Sequence, residues 1–278
     1  MQIELEARGV RLHADVSDPL SLAVPLDFDG PQPNHYGAPH AHARALDDGA
    51  QSLDTRAGGA VNCEALTLVP HCNGTHTECV GHITDERIAV SDVLRGGLWL
   101  AAVVSVTPCP AHATEESTVP APVRGDRVIT ARALLAALDA LPGRRSPPVA
   151  PQAVVLRTLP NDESKLTRQY GTQVSAPYLT REAAAALVAA DIEHLVTDLP
   201  SLDRTRDGGE LTAHRLFWGL PPGNRRASDA TRSHATVTEL AWIAPTIRDG
   251  LYLLDLQLPA FLSDAAPSRP VLYRLKRL

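Results

Sequence analysis

What the 278-residue sequence has little of narrows its reading first. Aromatic side chains make up only 4% of it, so Ala, Val and Leu must do most of the packing. No run of Lys and Arg stands out, and the formal net charge is −6. Binding to nucleic acid draws on a basic surface that neutralises phosphates, so nucleic acid is not an expected partner. Arg225, Arg226 and Arg232, scattered through "GNRRASDATR", read as a solvated loop. Nowhere do about 18 apolar residues run together, so no membrane-spanning helix is expected. "MQIELEARGV" lacks the basic start and apolar stretch of a secretory signal. The four cysteines, Cys63, Cys72, Cys79 and Cys109, do not look like a disulfide framework, and a reduced, cytoplasmic chain is the simplest expectation. No internal repeat is visible.

What is present is an ordinary globular composition, 44% hydrophobic and 21% charged. A chain of this length can bury roughly three-quarters of its unfolded surface, enough for one large core. Residues 1–60 read as a loop-rich N-terminal segment, with Pro, Gly and Asp alternating in "PLDFDGPQPNHYGAPHAHARALDDGA". From Val61 the pattern changes. "VNCEALTLV" and "GLWLAAVVSV" have the look of buried strands, with Cys63 in the first as plain core. "TARALLAALDALPG" opens on a Thr cap and stops at Pro-Gly, as a helix does. "QAVVLRT", a helix over "LTREAAAALVAADI" capped by Thr180 with Glu182 in its first turn, and "IEHLVTD" form a strand–helix–strand crossover. "ATVTELAWI", "GLYLLDLQL" and "RPVLYRL" supply further apolar segments, and Pro-rich "GRRSPPVAPQ" near residue 147 reads as a surface connection. A single mixed α/β domain over 61–278 is expected.

One stretch carries chemistry. In "PHCNGTHTECVGHI", Cys72, His76, Glu78 and His82 all fall on even numbers. A helix would also bring Cys72 and His76 together, but Asn-Gly and two threonines favour extended structure. In an extended chain these side chains project to one side, Gly74 leaves space between two of them, and His71 points away. A polar loop with backbone-bonded histidines is the plainer alternative. Four ligand-capable groups in phase favour a divalent metal over it. His82 stands beyond the ligands, placed either for proton transfer at neutral pH or to hydrogen-bond a ligand carboxylate. His35, Tyr36, His40 and His42 read as a solvent-exposed loop that could cover the site. Cys79, like Cys63, reads as structural, because nothing marks a base beside it.

The stretch resembles the signature of the cyclase family of metal-dependent hydrolases, which includes bacterial kynurenine formamidases and isatin hydrolases: His-x-Gly-Thr-His-x-Asp with a further His four residues on. Here Gly74-Thr75-His76 match, Glu78 replaces Asp, the trailing His is His82, and Cys72 stands at the first ligand position. "APYLTREAAAALVAADIEHLVTDLPSLDR" resembles a family stretch ending in Asp-x-Pro-Ser-x-Asp, here Asp198, Pro200, Ser201 and Asp203. His214 and Glu239 fall where the family keeps metal-proximal groups. The resemblance implies a swivelling β/α/β fold with a mixed sheet, and metal at Cys72, His76, Glu78, His214 and Glu239, with His82 catalytic. It further implies hydrolysis of an amide, cyclic imide or lactone C–N or C–O bond by metal-bound hydroxide, on a small-molecule substrate, in a homodimer or homotetramer. A thiolate at Cys72 would favour zinc over manganese. The rival expectation is a non-catalytic metal- or ligand-binding member with a degenerate site.

Overall fold

Residues 1–7, 10–47, 49, 51–141, 150–171 and 175–277 are described by the structure, a computed structural model. The Pro-Gly helix stop and most of the Pro-rich connection near residue 147 lie outside them. In chain order the strands are β1 (Gln2–Ala7), β2 (Val10–Asp15), β3 (Leu20–Ser21), β4 (Asn34–His35), β5 (His42–Ala45), β6 (Glu64–Thr67), β7 (His76–Glu78), β8 (Gly97–Val106) and β9 (Cys109–Pro110). There follow β10 (Arg127–Ile129), β11 (Ala153–Thr158), β12 (Gln169–Tyr170), β13 (Tyr178–Leu179), β14 (His194–Thr197), β15 (Thr236–Glu239), β16 (Gly250–Leu256), β17 (Ala265–Pro267) and β18 (Val271–Arg277). The helices are α1 (Pro70–Asn73), α2 (Val90–Val93), α3 (Ala131–Asp139), α4 (Arg181–Ala189) and α5 (Thr212–Trp218).

The main sheet runs β1-β2-β18-β16-β8-β11-β14-β15-β7-β17, with β3 on β18. β8, β11, β14 and β15 pair in parallel, and antiparallel strands flank them on both sides. Every residue of β11, β14 and β15 is buried. A strand buried on both faces favours a continuous aliphatic run, seen in Ala153–Leu156 of β11, whereas β14 and β15 also bury His194, Thr197, Thr236, Thr238 and Glu239. Ala102, Val104, Val154, Leu156, Leu195 and Val237 face a core shared with Leu134 and Leu138 of α3, Leu187 of α4, and Phe217 and Trp218 of α5. Ala101, Val103, Val155 and Val196 face a second core closed by Leu22, Ile243, Leu254 and Leu272. Full burial of each large aliphatic side chain is worth about 1.5–3 kcal/mol.

α3 and α4 start where their caps put them: the Thr130 hydroxyl accepts from Ala133 N–H and the Thr180 hydroxyl from Ala183 N–H. The sheet and helices match the mixed α/β single domain expected. Among the described residues no helix is long and apolar enough to cross a membrane.

Residues 1–60, read as loop-rich, also carry the paired strands β1 and β2, which extend the main sheet. Two local expectations do not hold. "VNCEALTLV" is not a buried strand: β6 pairs only with β5 and is largely exposed, as is Cys63. Its apolar residues are numerous enough for a strand, but β6 is placed against the short strand β5 at the surface rather than in the main sheet. Arg232 is not solvated. Its guanidinium lies over the Phe217 ring and donates to the Phe217 carbonyl, tying the loop after α5 to that helix.

Candidate metal centre

The chemistry-bearing side chains meet where β15, β7 and β17 lie side by side, at the carboxyl end of the parallel strands. Glu239 ends β15, and antiparallel register sets it opposite His76 of β7, while Ala265 lies opposite Glu78. Thr75 holds this corner. Its hydroxyl donates to the Leu240 carbonyl at 2.7 Å and accepts from Val24 N–H at 2.9 Å. His76 and Glu78, two apart on a strand, project to the face that carries α5. Thr77 points to the other face, against the Thr238 hydroxyl at 2.7 Å.

His214, in the first turn of α5, comes in over this face. Asp203 accepts from the backbone N–H groups of Ala213 (2.7 Å) and His214 (3.1 Å), and from His214 Nδ1–H (2.7 Å). One carboxylate thus caps the helix and orients the ring, leaving Nε2 to face Glu78 Oε1 at 3.0 Å and Glu239 Oε1 at 3.4 Å. Glu239 Oε1 is itself held by Leu202 N–H at 2.9 Å. His76 is fixed in the same way: Nδ1–H donates to the Gly74 carbonyl at 3.0 Å, and Nε2 faces Glu239 Oε2 at 3.6 Å. His71 contributes a third ring. Its Nε2–H donates to Asp264 Oδ2 at 2.8 Å, and Nδ1 stands 2.9 Å from Glu78 Oε2. His82 lies at the more open side, its ring centroid 4.3 Å from that of His71 and its Nδ1 3.5 Å from Asp264 Oδ2.

Three imidazoles therefore turn their outer nitrogens to fixed acceptors and their inner nitrogens toward two carboxylates. Buried polar atoms without a hydrogen bond are rare. Among the described residues there are six such side-chain atoms: four of them, His71 Nδ1, His76 Nε2, Glu78 Oε1 and His214 Nε2, belong to this cluster, and the other two are the ring nitrogens of His35. In the neutral tautomers set by Gly74 and Asp203, a ring lone pair would confront carboxylate oxygens, so the cluster calls for positive charge at these facing atoms, as ring protons or as a bound cation. Such convergent acceptors fit a cation, and the ligand atoms of His71, His76 and Glu78, and of Glu78, His214 and Glu239, each lie within 4.8 Å of one another.

The electrostatics agree. Burial opposes charge on Glu78, yet His82, His214 and His71 hold its carboxyl well below the usual range. Burial and the Glu78 charge push Glu239 up, as expected for two carboxylates sharing a site. Burial and the nearby charge of His71 bring His76 down to about 3, so its ring is neutral, the form that binds metal. Burial works against protonation of His71 and His214, but their carboxylate partners raise both, His71 to about 10. In the metal-free protein those protons supply the positive charge that the cluster requires.

The structure brings four of the sequence-derived ligand candidates together, His76, Glu78, His214 and Glu239, with His82 beside them. Cys72 is in none of these clusters. The alternation expected from residue 72 onward fails because residues 70–73 are the helical turn α1, with Pro70 in its first turn and Asn73 Oδ1 accepting from Val69 N–H at 2.6 Å. That turn swings His71 into the cluster and buries Cys72, whose thiol burial and Glu239 push up to about 11. Gly74 opens no space between ligands, since a Cβ there would meet Leu26 at 3.8 Å. Of the Asp-x-Pro-Ser-x-Asp segment, Asp203 reaches His214. Asp198 instead accepts from Thr158 and Lys165 and ties β14 to β11. Cys79 is buried and structural, its thiol against the Ile88 carbonyl. His35 is buried rather than solvated, and neither ring nitrogen has a hydrogen bond. Sequence reasoning held His71 only as the out-of-register alternative to Cys72, and it missed Asp264. Pro70, a residue favoured at the first helical position, was the available signal for His71. Nothing local marked Asp264.

Comparison with solved structures finds the same fold at low identity. A protein described as a predicted metal-dependent hydrolase from Bacillus stearothermophilus superposes with a TM-score of 0.55 at 14% identity, covering 92% of this chain and 98% of that one. An isatin hydrolase bound to the product analogue thioisatinate gives 0.55 at 15% identity, covering 93% of each chain. Isatin hydrolase A from Labrenzia aggregata, bound to benzyl benzoate, gives 0.54 at 13%, covering 92% and 93%. No curated protein matches the chain in sequence. The Cyclase family model matches residues 15–204, the larger part of the chain and all of the His71–His82 stretch, and the chain belongs to that family.

Proposed function

We propose that the protein is a metal-dependent hydrolase that cleaves a carbonyl C–N or C–O bond of a small amide, cyclic imide or lactone. The observation that carries the reading is the set of buried imidazole nitrogens and carboxylate oxygens that face one another at 2.9–3.6 Å without hydrogen bonds between the acceptors. His71, His76, Glu78, His214 and Glu239 are the residues that would hold a divalent cation. The chemistry a cation supplies at such a site is polarisation of a carbonyl and acidification of a water from pKa 15.7 to about 7. All five ligands offer nitrogen or oxygen, so the softness argument for zinc lapses with Cys72, and zinc and manganese both suit the set.

The remaining residues divide the work. Glu78 touches both ligand groups and keeps its charge at neutral pH. Asp203 and Gly74 hold the rings of His214 and His76 so that only their inner nitrogens face the site. His82, about a third exposed, stands where a substrate can reach it and carries the proton to the leaving group. A polar cavity of about 380 Å³ is lined in part by Gly81, Thr84, Arg87 and Asp264, and Asp264 is the residue that it shares with the side chains around His71 and His82. The test is metal analysis of the purified protein followed by turnover of a formanilide, a cyclic imide and a lactone. Metal with turnover of one class supports the reading. Metal without turnover of any class favours a binding role, and no metal refutes both.

A further inference from the structure

We propose that Asp264 is a positioning residue that makes His71 the metal ligand replacing the one expected at position 72, and that it couples this ligand to His82. The inference rests on the metal-dependent reading above. Each imidazole that faces the two glutamates needs an outer acceptor to hold its tautomer. His76 has the Gly74 carbonyl and His214 has Asp203. For His71 the acceptor is Asp264, 193 positions away, at 2.8 Å from Nε2. With the proton held at Nε2, the buried Nδ1 presents its lone pair beside Glu78 Oε2. A carboxylate behind a ligating histidine fixes ring orientation and raises ligand basicity, and its loss typically costs 10–100-fold in metal affinity.

The backbone is arranged to bring Asp264 there. Its carbonyl accepts from Cys79 N–H at 3.0 Å, and the next residue, Ala265, pairs with Glu78 across β17 and β7. Gly81 leaves the room. A Cβ at that position would come within 3.2 Å of Asp264 Cβ and 2.5 Å of the Ile88 carbonyl, so a larger residue would displace both. The same Asp264 oxygen lies 3.5 Å from His82 Nδ1, and the two rings lie 4.3 Å apart. One oxygen therefore holds the ligand ring and lies within reach of the neighbouring His82, and the His71–His82–Asp264 atoms all lie within 4.8 Å of one another.

The experiment is a Co(II) and Zn(II) titration of the parent, Asp264→Asn, Asp264→Glu, His71→Ala and the Asp264→Asn/His71→Ala double variant. Circular dichroism controls for folding, and Asp18→Asn, an exposed residue paired with Arg274 and outside the cluster, serves as a neutral comparison. Asp264→Asn should weaken Co(II) binding 10–100-fold and shift the visible Co(II) spectrum. Asp264→Glu, which keeps the carboxylate, should recover much of the affinity. The double variant should bind no more weakly than His71→Ala alone, because Asp264 acts through His71. Should Asp264→Asn not fold, Asp264→Ser decides by the same titration. Affinity within twofold of the parent with an unchanged spectrum, or losses that add in the double variant, overturns this inference alone. A parent that binds neither metal overturns the metal reading and this inference with it.

Discussion

Replacing Asp203 with Asn separates helix capping from metal binding at His214. In the parent the carboxylate accepts three hydrogen bonds, from Ala213 N–H, His214 N–H and His214 Nδ1–H, at 2.7–3.1 Å. An amide is nearly isosteric and can still accept with its oxygen, but its NH₂ group is a donor. Turned toward His214, that donor requires a lone pair at Nδ1 and sends the ring proton to Nε2, where it blocks the atom that faces Glu78. Turned away, it faces the Ala213 N–H and loses that cap bond, while its oxygen keeps the two His214 bonds. Losing an oriented outer carboxylate costs 10–100-fold in metal affinity, which is about 1.4–2.7 kcal/mol. Losing cap bonds costs about 1 kcal/mol of fold stability. Competition against a chromophoric chelator reads the first quantity and urea unfolding of the metal-free protein reads the second. A folded Asp203→Asn protein that binds metal within twofold of the parent would refute the orienting role.

Other changes probe neighbouring links in the same account. His82→Ala should keep its metal and lose at least roughly tenfold in turnover, the low end of acid–base contributions; metal lost together with activity makes His82 a ligand. His71→Ala should weaken metal binding more than tenfold while Cys72→Ala changes it little, measured by the same competition, and the opposite order would restore the extended reading of residues 70–73. Away from the site, burial holds His194 down at about 4 beside Trp99 and the Thr236 hydroxyl. The unfolded chain takes up that proton near pH 6.5, so this contribution to stability is complete above about 6.5 and is lost as pH falls toward 4. It amounts to about 3 kcal/mol. Urea midpoints between pH 7 and pH 4 measure it, and His194→Gln should flatten that slope.

The parts of the molecule legible in the sequence are those whose cause is local. Thr130 and Thr180 announce their helices because each cap bond closes within three residues. The runs in β8 and β11 show because strands buried on both faces need apolar residues at nearly every position. That His76 and Glu78 share a face was legible for an equally local reason, since a strand puts residues two apart on one side. Extending that alternation back to Cys72 failed because a Pro-initiated turn breaks the register just before β7. Asp264 carries no local mark at all. Its value comes from β17 lying against β7, a pairing between segments nearly 200 residues apart. Cys63 misled because the short segment around it pairs with one neighbouring strand on the surface and never reaches a core.

The most direct test of the central claim is anomalous diffraction at the metal edge from crystals grown with zinc or manganese. The metal-dependent reading predicts a peak beside Glu78, either among His71, His76 and Glu78 or among Glu78, His214 and Glu239, or one peak in each, about 2.0–2.2 Å from the facing nitrogen and oxygen atoms. Crystals with no peak in this cluster, or with the ion bound at Cys72 Sγ and away from His71, would contradict it.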